Sequence, residues 1–137
     1  MKVFLCWSGN ESRRVAQVFH QWLPLFLENV QPFMSTGDID KGAHWGTALQ
    51  KELKGAVYGI IFVTRYSYKE PWINFEAGAI SNTLDSSSVS PFLIQVTDED
   101  IKGPLEQFES TKFEENDIYR LLNSINKNLG NIGRDHR

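Results

Sequence analysis

The stretch Val57–Val63 (VYGIIFV) is the most apolar segment of this 137-residue chain. A continuous apolar run of this length is typical of a parallel strand that is covered on both faces, whereas a strand with one wet face alternates. We therefore predict that these seven residues form the central strand of an α/β domain.

Segments with strand-like and helix-like patterns alternate on both sides of this stretch. The runs Lys2–Trp7, Val30–Met34 and Phe92–Val96 are predicted strands, and Thr111–Phe113 is a predicted short edge strand. A helical pattern follows the first run, and Pro24 is expected to kink or shorten that helix. Alternation of this kind predicts a doubly wound parallel sheet.

Composition excludes several classes of protein. The net charge of −3 provides no basic surface for nucleic acid or anionic lipid. The single cysteine, Cys6, excludes an internal disulfide and is expected in the core. No Cys/His cluster suggests a metal site, and no apolar run reaches membrane-spanning length. We expect one cytoplasmic domain over residues 1–129, followed by a frayed tail or linker over residues 130–137.

Ligands of doubly wound sheets bind outside the carboxyl ends of the strands, where the strand order reverses. Three loops are predicted to reach that edge: Ser8–Ser12, Ser35–Trp45 and Thr64–Trp72. The second loop contains Asp38 and Asp40, but two carboxylates alone make a weak cation site. These loops are therefore the places to look for a substrate site.

A carboxylate on an apolar helix stripe follows the third loop. Helical spacing predicts that one stripe holds Trp72, Phe75, Glu76, Ala79 and Ile80. Burial removes water from a carboxylate, so Glu76 requires a partner, a raised pKa or a chemical role. Within this segment alone, pairing with an arginine or a backbone N–H is the slightly favoured explanation of Glu76. Near the indoles of Trp72 and Trp45 it also suits a nucleoside, or stabilisation of an oxocarbenium-like transition state.

Three segments together resemble the bacterial type of Toll/interleukin-1 receptor (TIR) domain, over roughly residues 2–125. Val3–Ser8 resembles the first box of the family, and Ser35–Gly42 occupies the place of its mobile BB loop. Trp72 and Glu76 resemble the tryptophan and catalytic glutamate of members that cleave NAD+. The surrounding sequence WINFEAGAIS is similar to TIR domains of antiphage defence, such as STING-type effectors. The later Phe-Trp box of the family is replaced here by Thr111–Glu114.

The resemblance implies a flavodoxin-like TIR fold, with a mostly parallel sheet of about five strands and helices on both faces. It also implies NAD+ glycohydrolase activity, with NAD+ as the substrate and no cofactor. Glu76 would be the catalytic residue, holding the nicotinamide-side ribose and stabilising its developing positive charge. Trp72 would shape the nicotinamide pocket.

Other substrate-binding positions follow from the same resemblance. Ser8 and Gly9, with Trp7 beside them, would line the phosphate or ribose side of the site. Asp38 and Gly42 would belong to the mobile loop. We add Trp45 as a stacking residue for the substrate, although anchoring of its own helix explains this tryptophan at least as well.

The expected partners are NAD+, further copies of the domain through TIR–TIR contacts, and a cyclic-nucleotide sensor as a fused domain or separate protein. Neither nucleic acid nor a membrane is expected as a partner. Two other functions remain open: a non-catalytic TIR adaptor, and a nucleoside deoxyribosyltransferase-like enzyme whose glutamate is a nucleophile. The reaction product, ADP-ribose or a cyclic isomer, does not follow from the sequence.

Overall fold

The computed structural model describes residues 1–7, 9–34, 51–66, 68 and 77–130. Its five strands are β1 (Lys2–Cys6), β2 (Gln31–Met34), β3 (Ala56–Thr64), β4 (Val89–Ile94) and β5 (Thr111–Lys112). They form one sheet in the order β2-β1-β3-β4-β5, and every neighbouring pair is parallel. This is the flavodoxin-like order, with β3 at its centre. The predicted fold class and central strand are confirmed.

Helices cover the sheet on both faces. The helical segments are α1 (Asn10–Phe26), residues 51–53 (α2), residues 77–81 (α3) and α4 (Glu115–Gly130). Short 3₁₀ turns occur at Ser86–Ser88, Asp98–Asp100 and Gly103–Gln107. In the described part of the chain, no helix has both the length and the apolar character needed to cross a membrane.

The two faces of the sheet have separate cores. On the first face α1 and α4 pack on the sheet, and the ring of Phe19 lies 5.2 Å from that of Phe62 and 5.1 Å from that of Phe92. On the second face, Leu53 of α2 and Ile80 of α3 are fully buried with the other strand side chains. Burial on both sides accounts for the unbroken apolar sequence of β3.

The residues that α1 buries are not simply the large apolar residues of its sequence. Ser12, Ala16, Phe19 and Leu23 are the buried residues of this helix. Val18 and Phe26 are 60% and 57% exposed and do not belong to this buried set. Pro24 does not shorten α1, which continues to Phe26. Proline is tolerated here because it lies in the last turn, where few further helical bonds depend on it.

Two predicted segments are corrected by the structure. β4 begins at Val89, ahead of the predicted Phe92, because Ser90 is buried and donates to the Glu109 carbonyl at 2.9 Å. The eight acidic residues of the segment Asp98–Asp117 predict that it is a solvated rim. It also contributes Ile101, Leu105 and Phe108 to the second core. The predicted tail lies outside the described residues, apart from residue 130, which ends α4.

Both edges of the described sheet are short. β2 has four residues, including Pro32, and β5 has two. The Lys112 N–H in β5 donates to Asp117 Oδ2 at 2.9 Å, so a side chain of α4 occupies one donor of this edge strand.

Candidate functional site

The strand order reverses between β1 and β3, because β2 lies beyond one side of β1 and β3 lies on the other. Cys6, the last residue of β1, pairs with Ile61, so β3 continues for three residues past the end of its neighbour. We call the region beside Thr64, between the ends of β1 and β3, the crevice. In open α/β sheets such a crevice is where ligands bind.

The amino terminus of α1 forms one wall of this crevice. Gly9 precedes the helix with φ 91° and ψ 164°, a backbone conformation that is essentially restricted to glycine. The Arg13 N–H donates to the Gly9 carbonyl at 3.0 Å as the first helical bond, so the N–H groups of Asn10 and Glu11 have no partner within the helix. Gly9 supplies no side-chain cap, and these donors favour an anion.

Arg65 and Tyr66 form the opposite wall, directly after β3. Arg65 Nη2 donates to Tyr66 Oη at 3.1 Å, and its guanidinium carbon lies 5.2 Å from the centroid of that ring. The Tyr66 N–H donates in turn to Thr64 Oγ1 at 3.2 Å, which ties the turn to the buried end of the strand. Both side chains are exposed, so the crevice presents a cation and a ring to solvent.

Glu11, in the first turn of α1, interacts electrostatically with Arg65 from across the crevice. The hydrogen bond to Tyr66 raises the pKa of Arg65 above its ordinary value, and the charges of Tyr66 and Glu11 raise it further. One oxygen of Glu11 is shielded from water and accepts no hydrogen bond from the described part of the chain. The crevice therefore combines a permanent cation with a carboxylate acceptor, a pair that suits a ligand with both phosphate and hydroxyl groups.

Trp7, predicted to bind substrate, lies at the end of β1 between the crevice and the core. Its indole is partly buried and packs against the cluster under α1 and α4. The partial burial of Trp7 fits a role in anchoring the end of β1. Trp7 precedes Gly9 by two residues and therefore lies at the predicted carboxyl edge.

The described part of α3 packs on the second face of the sheet. Ala77 and Ile80 are fully buried in the second core, whereas Ala79, predicted for the inner stripe, is only partly buried. A methyl group placed on Gly59 would lie 3.9 Å from Ile80 Cγ2 and 3.3 Å from Leu84 Cδ1, so α3 packs closely on β3.

Most of the predicted site residues lie outside the described residues. These are Glu76, Trp72, Ser8, Asp38, Gly42 and Trp45. Trp7 and Gly9 are described, and both lie at the predicted carboxyl edge. Sequence reasoning missed Arg65, Tyr66 and Glu11, although Arg65 and Tyr66 directly follow the most apolar strand in one of the three loops that it selected.

No group of three or more potential metal ligands occurs among residues 1–7, 9–34, 51–66, 68 and 77–130. Within these ranges, the groups at the crevice suit an organic phosphate rather than a coordinated cation. The hydrogen-bond donors of the crevice are backbone N–H groups and a guanidinium, which bind anions.

Comparisons with known proteins agree with this architecture. A family model described as a TIR domain matches residues 3–122. A comparison with curated protein sequences finds no match. A similar solved structure is that of the TIR domains of the activated Roq1 resistosome directly recognizing the pathogen effector XopQ. It is 15% identical, has a TM-score of 0.52, and the alignment covers 94% of this chain and 83% of that chain. The family match spans most of the sequence, so this chain belongs to the TIR domain family.

Proposed function

We propose that this TIR domain is an NAD+ glycohydrolase that breaks the bond between nicotinamide and ribose. The observation that carries the proposal is the crevice between β1 and β3, with the first N–H groups of α1 on one wall and Arg65 on the other. Such an arrangement fits the pyrophosphate of a dinucleotide. Tyr66 adds an exposed ring against which a base or nicotinamide can stack.

Glu76 is the proposed catalytic residue. It is bonded to Ala77, so their Cα atoms are about 3.8 Å apart. Ala77 precedes Ile80 by three helical residues, about 4.5 Å of rise, and Ile80 lies beside Gly59 of β3. The connection from β3 to the parallel strand β4 must return to the amino edge, so earlier residues of α3 lie nearer the carboxyl edge. The order of the chain therefore supports the proposed role of Glu76 at this edge.

In the proposed reaction, the Glu76 carboxylate stabilises positive charge that develops on the ribose as nicotinamide leaves. Water attack on the ribose carbon then gives ADP-ribose, and attack by the adenine ring gives a cyclic isomer. Trp72, Ser8, Asp38, Gly42 and Trp45 remain proposed substrate contacts.

We further propose that the protein acts in the cytoplasm as a bacterial antiphage effector and is activated by oligomerisation. Support for self-association comes from α1, which exposes Val18 by 60%, Leu25 by 78% and Phe26 by 57%. Apolar side chains grouped on one outer helix face mark a contact surface. A cyclic-nucleotide sensor is a proposed source of the activating signal.

The test is release of nicotinamide from NAD+, followed by chromatography, with the domain concentrated by a crowding agent or a fused oligomeriser. We expect cleavage by the unaltered protein and a loss of about 100-fold to 1,000-fold for Glu76→Gln. Glu99→Gln, at an exposed acid in the turn Asp98–Asp100, is the matched control and should cleave at the unaltered rate. Equal rates for Glu76→Gln and the unaltered protein would contradict the proposal and favour a non-catalytic adaptor.

A further inference from the structure

A cavity of about 490 Å³ lies beneath α4, at the amino ends of β3 and β4. Hydroxyl groups dominate its walls, namely those of Tyr58, Ser87, Ser90, Ser110, Thr111 and Ser124. Tyr58, Ser90 and Thr111 are 2%, 4% and 6% exposed, so these polar groups belong to the interior of the fold. The size is within the range of about 300–1,000 Å³ that is usual for small-molecule sites.

This cavity is separate from the crevice at the carboxyl edge. Tyr58 pairs with Val3 near the start of β1. From Tyr58, β3 continues for six residues to Thr64, which corresponds to about 20 Å along the strand. The two ends of the same strand therefore carry two different polar sites.

Most of the buried hydroxyls already donate their proton to a hydrogen bond within the protein. Ser90 Oγ donates to the Glu109 carbonyl at 2.9 Å and lies 2.7 Å from Thr111 Oγ1, which is then its donor. Tyr58 Oη and Ser124 Oγ lie 3.2 Å apart and share one hydrogen bond. Each hydroxyl has one proton and two lone pairs. The lining thus offers acceptors at the hydroxyl oxygens and donors at Ser87, Ser110 and Lys127, so it suits a ligand whose groups both donate and accept.

The charges around the cavity balance. Arg120 contacts Glu109 at 3.2 Å and Asp117 at 3.3 Å, and Lys127 is the second cation of the lining. Two carboxylates and two cations leave no net charge, so neither an anion nor a cation is favoured over a neutral molecule. Among neutral molecules, those rich in hydroxyl groups supply both donors and acceptors within a small volume.

We propose that this cavity binds a neutral polyhydroxylated molecule of monosaccharide size. The ligand's hydroxyls donate to Ser90 and Thr111, and they accept the proton that the Tyr58–Ser124 pair leaves free. The assignment is independent of NAD+ cleavage, because none of these residues lies at the crevice.

The test is a titration of the isotope-labelled protein, followed through its backbone amide NMR signals. The neutral probes are ribose, glucose and myo-inositol, and the charged probes of similar size are glucuronate and glucosamine. We expect at least one neutral probe to cause saturable shifts at Ser90, Thr111 and Ser124, with both charged probes binding about tenfold more weakly. Absence of saturable shifts with all three neutral probes would overturn the proposal, as would tighter binding of a charged probe.

Two variants locate the binding. Ser124→Leu replaces a hydroxyl of the lining with a larger apolar side chain and should abolish the shifts, whereas Asn123→Leu, at an exposed neighbouring position on α4, should retain them. Tyr58→Phe removes one hydroxyl from a residue that remains packed, and should weaken binding about fivefold to tenfold. Unchanged affinity in both Ser124→Leu and Tyr58→Phe would show that the probe binds elsewhere and would refute the assignment.

Discussion

The two ends of β3 present polar groups in opposite ways. At the carboxyl end, Thr64 leads into Arg65 and Tyr66, whose side chains reach solvent beside the first N–H groups of α1. At the amino end, Tyr58 is buried, and the hydroxyls around it bond to one another. Polar groups that face solvent can change partners when a ligand arrives, whereas the hydroxyls around Tyr58 are already paired before any ligand binds. One strand thus carries a solvent-facing polar edge at one end and a cavity lined by paired hydroxyls at the other.

Replacing one arginine at each end of β3 is the most direct test of whether the two ends differ in function. Arg65→Ala removes the cation of the crevice and should lower kcat/KM for NAD+ about tenfold to a hundredfold, the usual loss for a bond to a charged group. Arg120→Ala removes a similarly exposed arginine near the cavity and should leave cleavage unchanged. Both variants are measured in the oligomerised assay. A loss in Arg120→Ala as large as that in Arg65→Ala would erase the functional distinction between the two ends.

Backbone conformation distinguishes two glycines near the crevice. Gly9→Ala meets no steric obstacle, but the φ of 91° is unfavourable for alanine, and we expect a loss of about 1–3 kcal/mol in unfolding free energy. Gly78→Ala, in α3, also meets open space and should stabilise the protein by about 0.5–1 kcal/mol through helix propensity. Chemical denaturation measures both changes. If the two variants have equal unfolding free energies, the positive φ of Gly9 does not restrict this position before α1 to glycine.

The hydrogen bonds between buried groups at the amino end of the sheet can be disrupted by removing one hydroxyl, that of Ser90. Ser90→Ala leaves the Glu109 carbonyl and the Thr111 hydroxyl without this partner, which should cost about 1–2 kcal/mol of unfolding free energy. Ser110→Ala, close by but only partly buried, is the control and should change stability by less than about 0.5 kcal/mol. If the two substitutions cost the same, the Ser90–Thr111 pair does not hold β5 to β4.

The smallest expected effect concerns pH. Burial raises the pKa of Tyr58 above its ordinary value of 10.0, although its hydrogen bond with Ser124 opposes the shift. The contribution of Tyr58 to the unfolding free energy is fully present below pH 10, because this tyrosine is then protonated in both the folded and the unfolded protein. The contribution is lost as the pH rises from 10 through the pKa of Tyr58 in the folded protein. Unfolding free energy should therefore fall less steeply above pH 10 in Tyr58→Phe than in the unaltered protein. Tyr119→Phe, at a residue that is 65% exposed, should keep the original slope.

The sequence predicted those parts of the molecule that depend on local pattern. Val57–Val63 was recognised as the central strand because an apolar run without alternation is typical of a strand with helices on both sides. The carboxyl edge followed from the order of strands and helices, and it correctly included Gly9. Glu76 remains a prediction from sequence and from family resemblance.

The missed features depend on contacts between distant residues. Ser90 precedes the predicted strand Phe92–Val96, and its burial within β4 becomes understandable only from its hydrogen bond to Thr111. The proximity of Glu11 to Arg65 arises from the pairing of β1 with β3, which no local periodicity encodes. Val18 and Phe26 share the helical period of α1, but Ser12 and Ala16 allow the helix to approach the sheet on another side.

The short outer strands limit how copies of this domain can associate. β2 contains Pro32, which lacks an N–H, and β5 offers two residues of which one already donates to Asp117. Among the described residues both outer strands are short, which disfavours pairing with a strand from another chain along either margin. Contacts between copies of this domain would then involve side-chain surfaces, where single substitutions can alter association without disturbing the backbone of the sheet.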